Sequence, residues 1–145
     1  MLTFDRALVT GGAGFIGSHT VDALLEDGAE VWVLDDLSTG RLSNLRTWRR
    51  CPGLHFKRGS ITDYRIVEKL TRRVDVVVHL AATVSPELSL RRPEFTNEIN
   101  VSGTLNVLRA GLKNHVKRIL FASSSSLYGD PRSVPISEDA PLNPI

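Results

Sequence analysis

A chain of 145 residues, 41% of them apolar, has the size and composition to bury the core of one domain. Its formal charge of +2 is small, and the paired arginines Arg49-Arg50, Arg72-Arg73 and Arg91-Arg92 lie apart with no interleaved aromatics, which argues against a nucleic-acid partner. The single cysteine, Cys51, can form neither an internal disulfide nor a metal cluster, no apolar run approaches the ~18 residues of a membrane span, and no basic stretch followed by an apolar one opens the chain; the expectation is a cytoplasmic protein with no membrane partner and no metal site.

The first element in chain order is the apolar run 7–10, short, continuous and suited to a strand buried on both faces. It leads straight into Thr10-Gly11-Gly12-Ala13-Gly14-Phe15-Ile16-Gly17, after which Gly17, Val21, Leu24 and Gly28 follow helical spacing. A second strand is expected at 31–34, ending against Asp35, and a weaker third at 54–57. Asp63 can cap a helix running through Arg72, and the run 74–80 predicts a fourth strand. Pro93 can enter a helix through Lys113, in which Val101, Leu105, Leu108 and Leu112 repeat the helical spacing. A fifth strand at 118–122 runs into Ser123-Ser124-Ser125-Ser126, and the tail, with prolines at 131, 135, 141 and 144, reads as an extended surface loop. Strands alternating with helices predict an α/β fold, a doubly wound parallel sheet.

The glycines of the first turn answer separate physical demands. Gly11 lets the chain leave the first strand tightly, Gly14 removes the Cβ that would hold the backbone away from a pyrophosphate, and Gly17 lets the helix lie close on the sheet. The helix start then offers free N–H groups and the positive end of its dipole to an anion. A glycine triplet alone is weak evidence, but here a strand precedes it, a helix follows, and a second strand ends in an acid. That acid, Asp35, can accept hydrogen bonds from both ribose hydroxyls and repel a 2′-phosphate, so the cofactor expected is NAD rather than NADP.

The Gly-x-x-Gly-x-x-Gly spacing, with His79-Leu80-Ala81-Ala82 at the end of the fourth strand, resembles the extended short-chain dehydrogenase/reductases, in their NAD-dependent nucleotide-sugar epimerase/dehydratase branch. The likeness covers nearly the whole chain and implies a Rossmann domain. By that resemblance Phe15 and Ile16 present amides to the pyrophosphate, and Asp35-Asp36-Leu37-Ser38-Thr39-Gly40 surrounds the adenosine ribose. Ser60 and Ile61 border the adenine, Leu80, Ala81, Ala82 and Thr83 line the cofactor, and Asn100 secures the fourth strand and the pocket. Ser124, four residues before Tyr128-Gly129, stands where the family has its catalytic Ser or Thr, and Ser85 could touch the sugar or phosphate. Two positions depart from the pattern: Ser60 replaces an acid usual in the adenine segment, and Val84-Ser85 stands where some epimerases have a lysine.

The resemblance further implies a tyrosine base in a Tyr-x-x-x-Lys motif, its phenol made more acidic by the lysine and the nicotinamide cation. No such motif occurs here: Tyr64 is followed four residues on by Glu68, and Tyr128 by Arg132. The expectation is therefore a Rossmann domain that stops before the base, the last strands and the sugar-binding domain. The family's dehydratases place Asp-Glu after the catalytic Ser or Thr, where this chain has Ser125 and Ser126, which favours a UDP-sugar 4-epimerase working by transient oxidation at C4. A dehydratase or reductase of the same superfamily, or an NAD-binding fragment without turnover, are the alternatives. The family also implies a homodimer for the whole protein, built partly on the helix that ends near Lys113.

Overall fold

In the computed structural model, residues 4–131 and 133–145 are described; Arg132 lies outside the described residues. Five parallel strands, β1 (Arg6–Thr10), β2 (Glu30–Asp35), β3 (Leu54–Arg58), β4 (Val76–His79) and β5 (Arg118–Phe121), form one sheet in the order β3-β2-β1-β4-β5. All five fall on the runs expected from the sequence. Because the chain moves outward from β1 through β2 to β3 and then crosses back to β4, the winding reverses between β1 and β4. In such sheets the loops at that reversal diverge and leave a crevice beyond the carboxyl ends of the strands.

The period of two along each strand divides its side chains between two cores. Ala7, Val9, Val31 and Val33 pack on one face with Val21, Leu24 and Leu25 of α1 (Phe15–Glu26). Leu8, Trp32, Leu34 and Val77 pack on the other with Val67 and Leu70 of α2 (Tyr64–Thr71) and with Val107 and Ala110 of a later helix. Helices on both faces explain why the central strands read as unbroken apolar runs. Asp63 caps α2 as expected, accepting from the amides of Arg65 at 3.0 Å and Ile66 at 3.3 Å.

Three helical segments among the described residues carry no clear sequence signal and appear only in the fold: 3-10 turns at Leu42–Trp48 and Ser125–Tyr128, and the short α3 (Pro86–Arg91), capped by Ser85. The helix entered by Pro93 does run to Lys113, but in three parts. These are α4 (Pro93–Asn97), a π turn (Glu98–Gly103) and α5 (Thr104–Lys113). Its buried face carries Gly103, Val107, Ala110 and Gly111. A Cβ at position 111 would lie 2.6 Å from Ile119 Cδ1, so small residues are what let the helix approach the sheet. The larger periodic set, Val101, Leu105, Leu108 and Leu112, consequently faces outward, with Leu112 81% exposed.

At the opposite end of the sheet from the crevice, Asp75 joins three elements. Its carboxylate meets Arg6 of β1 and Lys117 before β5, both at 3.3 Å, and the hydrogen bond from Arg6 holds it below the usual carboxylate range. No helix among the described residues is long and apolar enough to cross a membrane.

The two faces of α5 differ in what they contribute. Val107→Ala should cost about 2–3 kcal/mol in urea denaturation by opening a cavity between α5 and the sheet. Leu112→Ala should stay within about 0.5 kcal/mol. Comparable losses for both would mean that the helix is rotated from the orientation described.

Candidate cofactor cleft

The crevice is a cleft of about 870 Å³, lined from the first turn, the ends of β2, β3, β4 and β5, and the π turn. That size falls in the range of sites for small organic ligands. Its floor begins where Gly11, with φ of +71°, turns the chain out of β1, and a Cβ there would lie 2.9 Å from the Ala81 amide nitrogen. Gly17 is held closer still, since a Cβ on it would overlap the Gly11 carbonyl oxygen. The start of α1 is therefore pressed backbone to backbone against the turn. Gly14 takes the N-cap position with no side-chain cap, so the amides of the first helical turn have no side-chain partner. Phe15 and Ile16 stand exposed at the mouth.

Asp35 ends β2 at 7% exposure, with Oδ2 accepting from Ala13 N at 2.9 Å and Oδ1 from Leu37 N at 2.8 Å. Each oxygen keeps a lone pair for a further donor, which is the capacity two ribose hydroxyls require. The segment after it folds back over the turn: Ser38 N donates to Asp36 Oδ1 at 2.8 Å, and Arg41 N and Asn44 Nδ2 both donate to Ala13 O. Asp36, Ser38 and Thr39 line the cleft. Leu37 and Gly40, expected there too, do not: Leu37 packs against the apolar core, and buried Gly40 lies so close to Asp35 that its role is to permit that approach.

The Ser60 and Ile61 segment follows β3 and is tied to Asp35, because Gly59 N donates to Asp35 O at 3.0 Å. Ser60 Oγ accepts from Thr62 N and Thr62 Oγ1, so it organises its own loop. Ile61 borders the cleft, yet its side chain is buried in the core at 3% exposure. Asp63 is committed to capping α2.

Leu80, Ala81, Ala82 and Thr83 form the opposite wall. Asn100 clamps its end, with Oδ1 accepting from Thr83 N at 2.8 Å and Nδ2 donating to Thr83 O at 2.9 Å. The start of the wall is held by Thr10, whose Oγ1 accepts from Leu80 N and Ala81 N and lies 2.7 Å from His79 Nδ1. With both amides donating to it, the hydroxyl directs its one proton to Nδ1. Thr104 Oγ1, 3.0 Å from His79 Nε2, spends its own proton on Asn100 O at 2.8 Å and so accepts from Nε2. His79 is thus a neutral imidazole carrying its proton on Nε2, and burial at 2% exposure pushes its pKa down to about 4.

Ser124 lies beyond the end of β5 in the same cleft, together with Ser126 and Leu127. Its Oγ accepts from Ser126 N at 3.2 Å as the cap of a 3-10 turn (Ser125–Tyr128). Ser85 is not brought to the cleft; its Oγ caps α3 by accepting from Leu88 N, and neighbouring Val84 takes the lining position. Sequence reasoning also missed Pro144, which lines the cleft because Asn143 N returns to bond Leu127 O. No local pattern marks such a return; it is a tertiary contact. Among the described residues no cluster of His, Cys, Asp or Glu is arranged to hold a metal ion.

The arrangement fits a dinucleotide: uncapped amides and a glycine cradle for phosphates, a buried acid with spare lone pairs for a ribose, and small Ala81 and Ala82 on the wall. Protonation should work against this site. Between pH 6.5 and about 4 the unfolded chain takes a proton at His79 that the folded chain refuses, so stability falls with pH through that window by up to about 1.4 kcal/mol per unit. Urea denaturation at pH 6.5 and 4.5 should show this loss, and His79→Gln should flatten it; an unchanged slope would mean that His79 is not the group held neutral.

Residues 7–145 match the NAD dependent epimerase/dehydratase family. A putative UDP-glucose 4-epimerase of Methanocaldococcus jannaschii is 41% identical over 140 residues, which are 95% of this chain and 44% of that protein. UDP-glucuronic acid decarboxylase 1 of Danio rerio is 42% identical over 143 residues, 97% of this chain and 32% of the relative. Among solved structures, the UDP-glucose 4-epimerase from Brucella ovis in complex with NAD superposes with a TM-score of 0.84 at 35% identity, covering 97% of this chain and 42% of that one. The chain spans less than half the length of these proteins, and across that span the fold and the NAD assignment agree: it belongs to the NAD dependent epimerase/dehydratase family.

Proposed function

We propose that this chain is the NAD-holding portion of a UDP-sugar 4-epimerase that works by transient oxidation at C4. The observation that carries the reading is the single cleft in which the glycine turn, Asp35 and the Ser124 strand end meet at the winding reversal of the sheet. The relatedness to a putative UDP-glucose 4-epimerase adds the substrate class. NAD, held by the glycine turn and Asp35, would supply the hydride acceptor and donor for a reversible oxidation at C4.

The chain's own residues supply binding and orientation. The amides of Phe15 and Ile16 hold the pyrophosphate, Asp35 holds the adenosine ribose with Asp36, Ser38 and Thr39 around it, and Ser60 and Ile61 border the adenine. Leu80, Ala81, Ala82 and Thr83, fixed by Asn100, set the depth of the nicotinamide half. At Ser124 the hydroxyl oxygen already accepts Ser126 N, so its proton is the part available to the sugar oxygen from which a base removes hydrogen. Ser125 and Ser126 offer no group able to act as a general acid at neutral pH, which favours epimerisation over elimination of water. These 145 residues contain no Tyr-x-x-x-Lys, so the proton acceptor for C4 oxidation comes from outside them. The outward stripe Val101, Leu105, Leu108 and Leu112 is the face we assign to a homodimer of the whole protein.

Calorimetric titration with NAD tests the binding half of this reading. Asp35→Ala should weaken NAD about 30-fold or more by removing two charge-assisted hydrogen bonds, whereas Asp63→Ala should stay within about threefold; equal losses would show the ribose acid to be misassigned. For the catalytic half, the chain alone should not interconvert UDP-glucose and UDP-galactose. When it is joined to a Tyr-x-x-x-Lys segment of the family, Ser124→Ala should lower kcat by about 10- to 100-fold. Turnover by the chain alone would overturn the assignment of the base.

A further inference from the structure

One helix reaches all three segments that frame the cleft. From the π turn, Asn100 grips Thr83 at the end of one wall. From the first residue of α5, Thr104 accepts from His79, and His79 in turn accepts from Thr10 at the root of the phosphate turn. From two residues further on, Asn106 Nδ2 donates to both Ile61 O and Thr62 O at 3.1 Å, which fixes the adenine-side loop. Gly103 gives that loop a seat, because a Cβ there would lie 2.6 Å from Ile61 Cδ1.

The helix geometry makes this double reach possible. Thr104 and Asn106 are about 200° apart around an axis of 3.6 residues per turn, and so border the two sides of the buried face centred on Val107. Asn100, four residues before Thr104, lies on the Thr104 side, and its carbonyl accepts from Thr104 Oγ1 at 2.8 Å. The strands are held in register by the sheet, but the loops at 60–63 and 81–83 extend past the last ladder hydrogen bonds and depend on side chains for their spacing.

We propose that Thr104 and Asn106 are positioning residues for NAD, with α5 acting as a gauge that sets the distance between the adenine-side loop and the opposite wall. This deepens the cofactor assignment and rests on it. Asn106 acts through the loop backbone it holds, and Thr104, which itself borders the cleft, acts through the His79 ring and Thr10. The two posts serve different ends of the ligand, so their loss has separable local signatures, which a general loosening of the fold would not produce.

Amide hydrogen exchange of the chain followed by NMR, together with NAD titration, provides the test. Asn106→Ala should raise exchange at residues 60–63 about tenfold and leave residues 80–83 unchanged; Thr104→Val should do the reverse. Each should weaken NAD about three- to tenfold, while Thr104→Ser, which keeps the hydroxyl, restores both exchange and affinity. Uniform acceleration over both loops in either variant, or NAD affinity within twofold of the unmutated chain, would overturn the proposal while leaving the cofactor assignment standing. Absence of NAD binding by the unmutated chain would overturn both.

Discussion

The structure depends on the contact between the Gly11 carbonyl and the backbone of Gly17, a packing of main chain against main chain with no space for a side-chain atom. Because α1 is seated there, the Ala13 amide reaches Asp35 and the Ala13 carbonyl receives Arg41 and Asn44. Because Gly11 also lies close against Ala81, the wall after β4 is set by the same turn. A substituent at either glycine would separate elements that belong to different strands of the sheet. The shape of the glycine turn and the place of Asp35 beside it are thus consequences of one steric condition.

Around that contact the cleft is built from polar groups whose protons are already allocated. Thr10, His79, Thr104 and Asn100 form a chain in which each ring nitrogen has one role, donor or acceptor, and each hydroxyl gives its one proton while accepting from another donor. Such a buried network specifies geometry when every member is satisfied and is costly when one is not. Protonating His79 would put a second donor against Thr10, whose proton already points that way, and desolvation opposes the charge as well. A core histidine here therefore helps hold, through Thr10, the backbone that lines the cleft.

The apolar surface tells a complementary story about what surrounds the domain. β5 is an edge strand, with Phe121 62% exposed, and α5 turns its larger side chains outward while glycine and alanine face the sheet. Small residues inside and large ones outside are the reverse of the pattern for a helix that ends its packing at one core. Both surfaces are suited to further packing, in keeping with a chain that spans less than half the length of its relatives.

Much of this was legible in the sequence because the relevant physics is local. Runs of β-branched residues specified the five strands, the glycine spacing specified the turn, Asp35 stood at the end of β2, and Asp63 stood at a helix start where a carboxylate caps. The sequence could not show that Ser85 would cap α3 instead of facing the cleft, that Leu37 and Gly40 would lie beneath Asp35, or that Pro144 would return to the strand ends. Nor could it show which way the Val101 to Leu112 stripe would face, since periodicity gives a face but not its partner. Those outcomes rest on contacts between residues far apart in the chain, and only closing the sheet brings them together. The amino-acid order by itself determined the strands, the phosphate turn and the acid that ends β2; the tertiary structure decided which of the remaining side chains reach the cleft, because that depends on how closely glycine lets α1 and α5 approach the sheet.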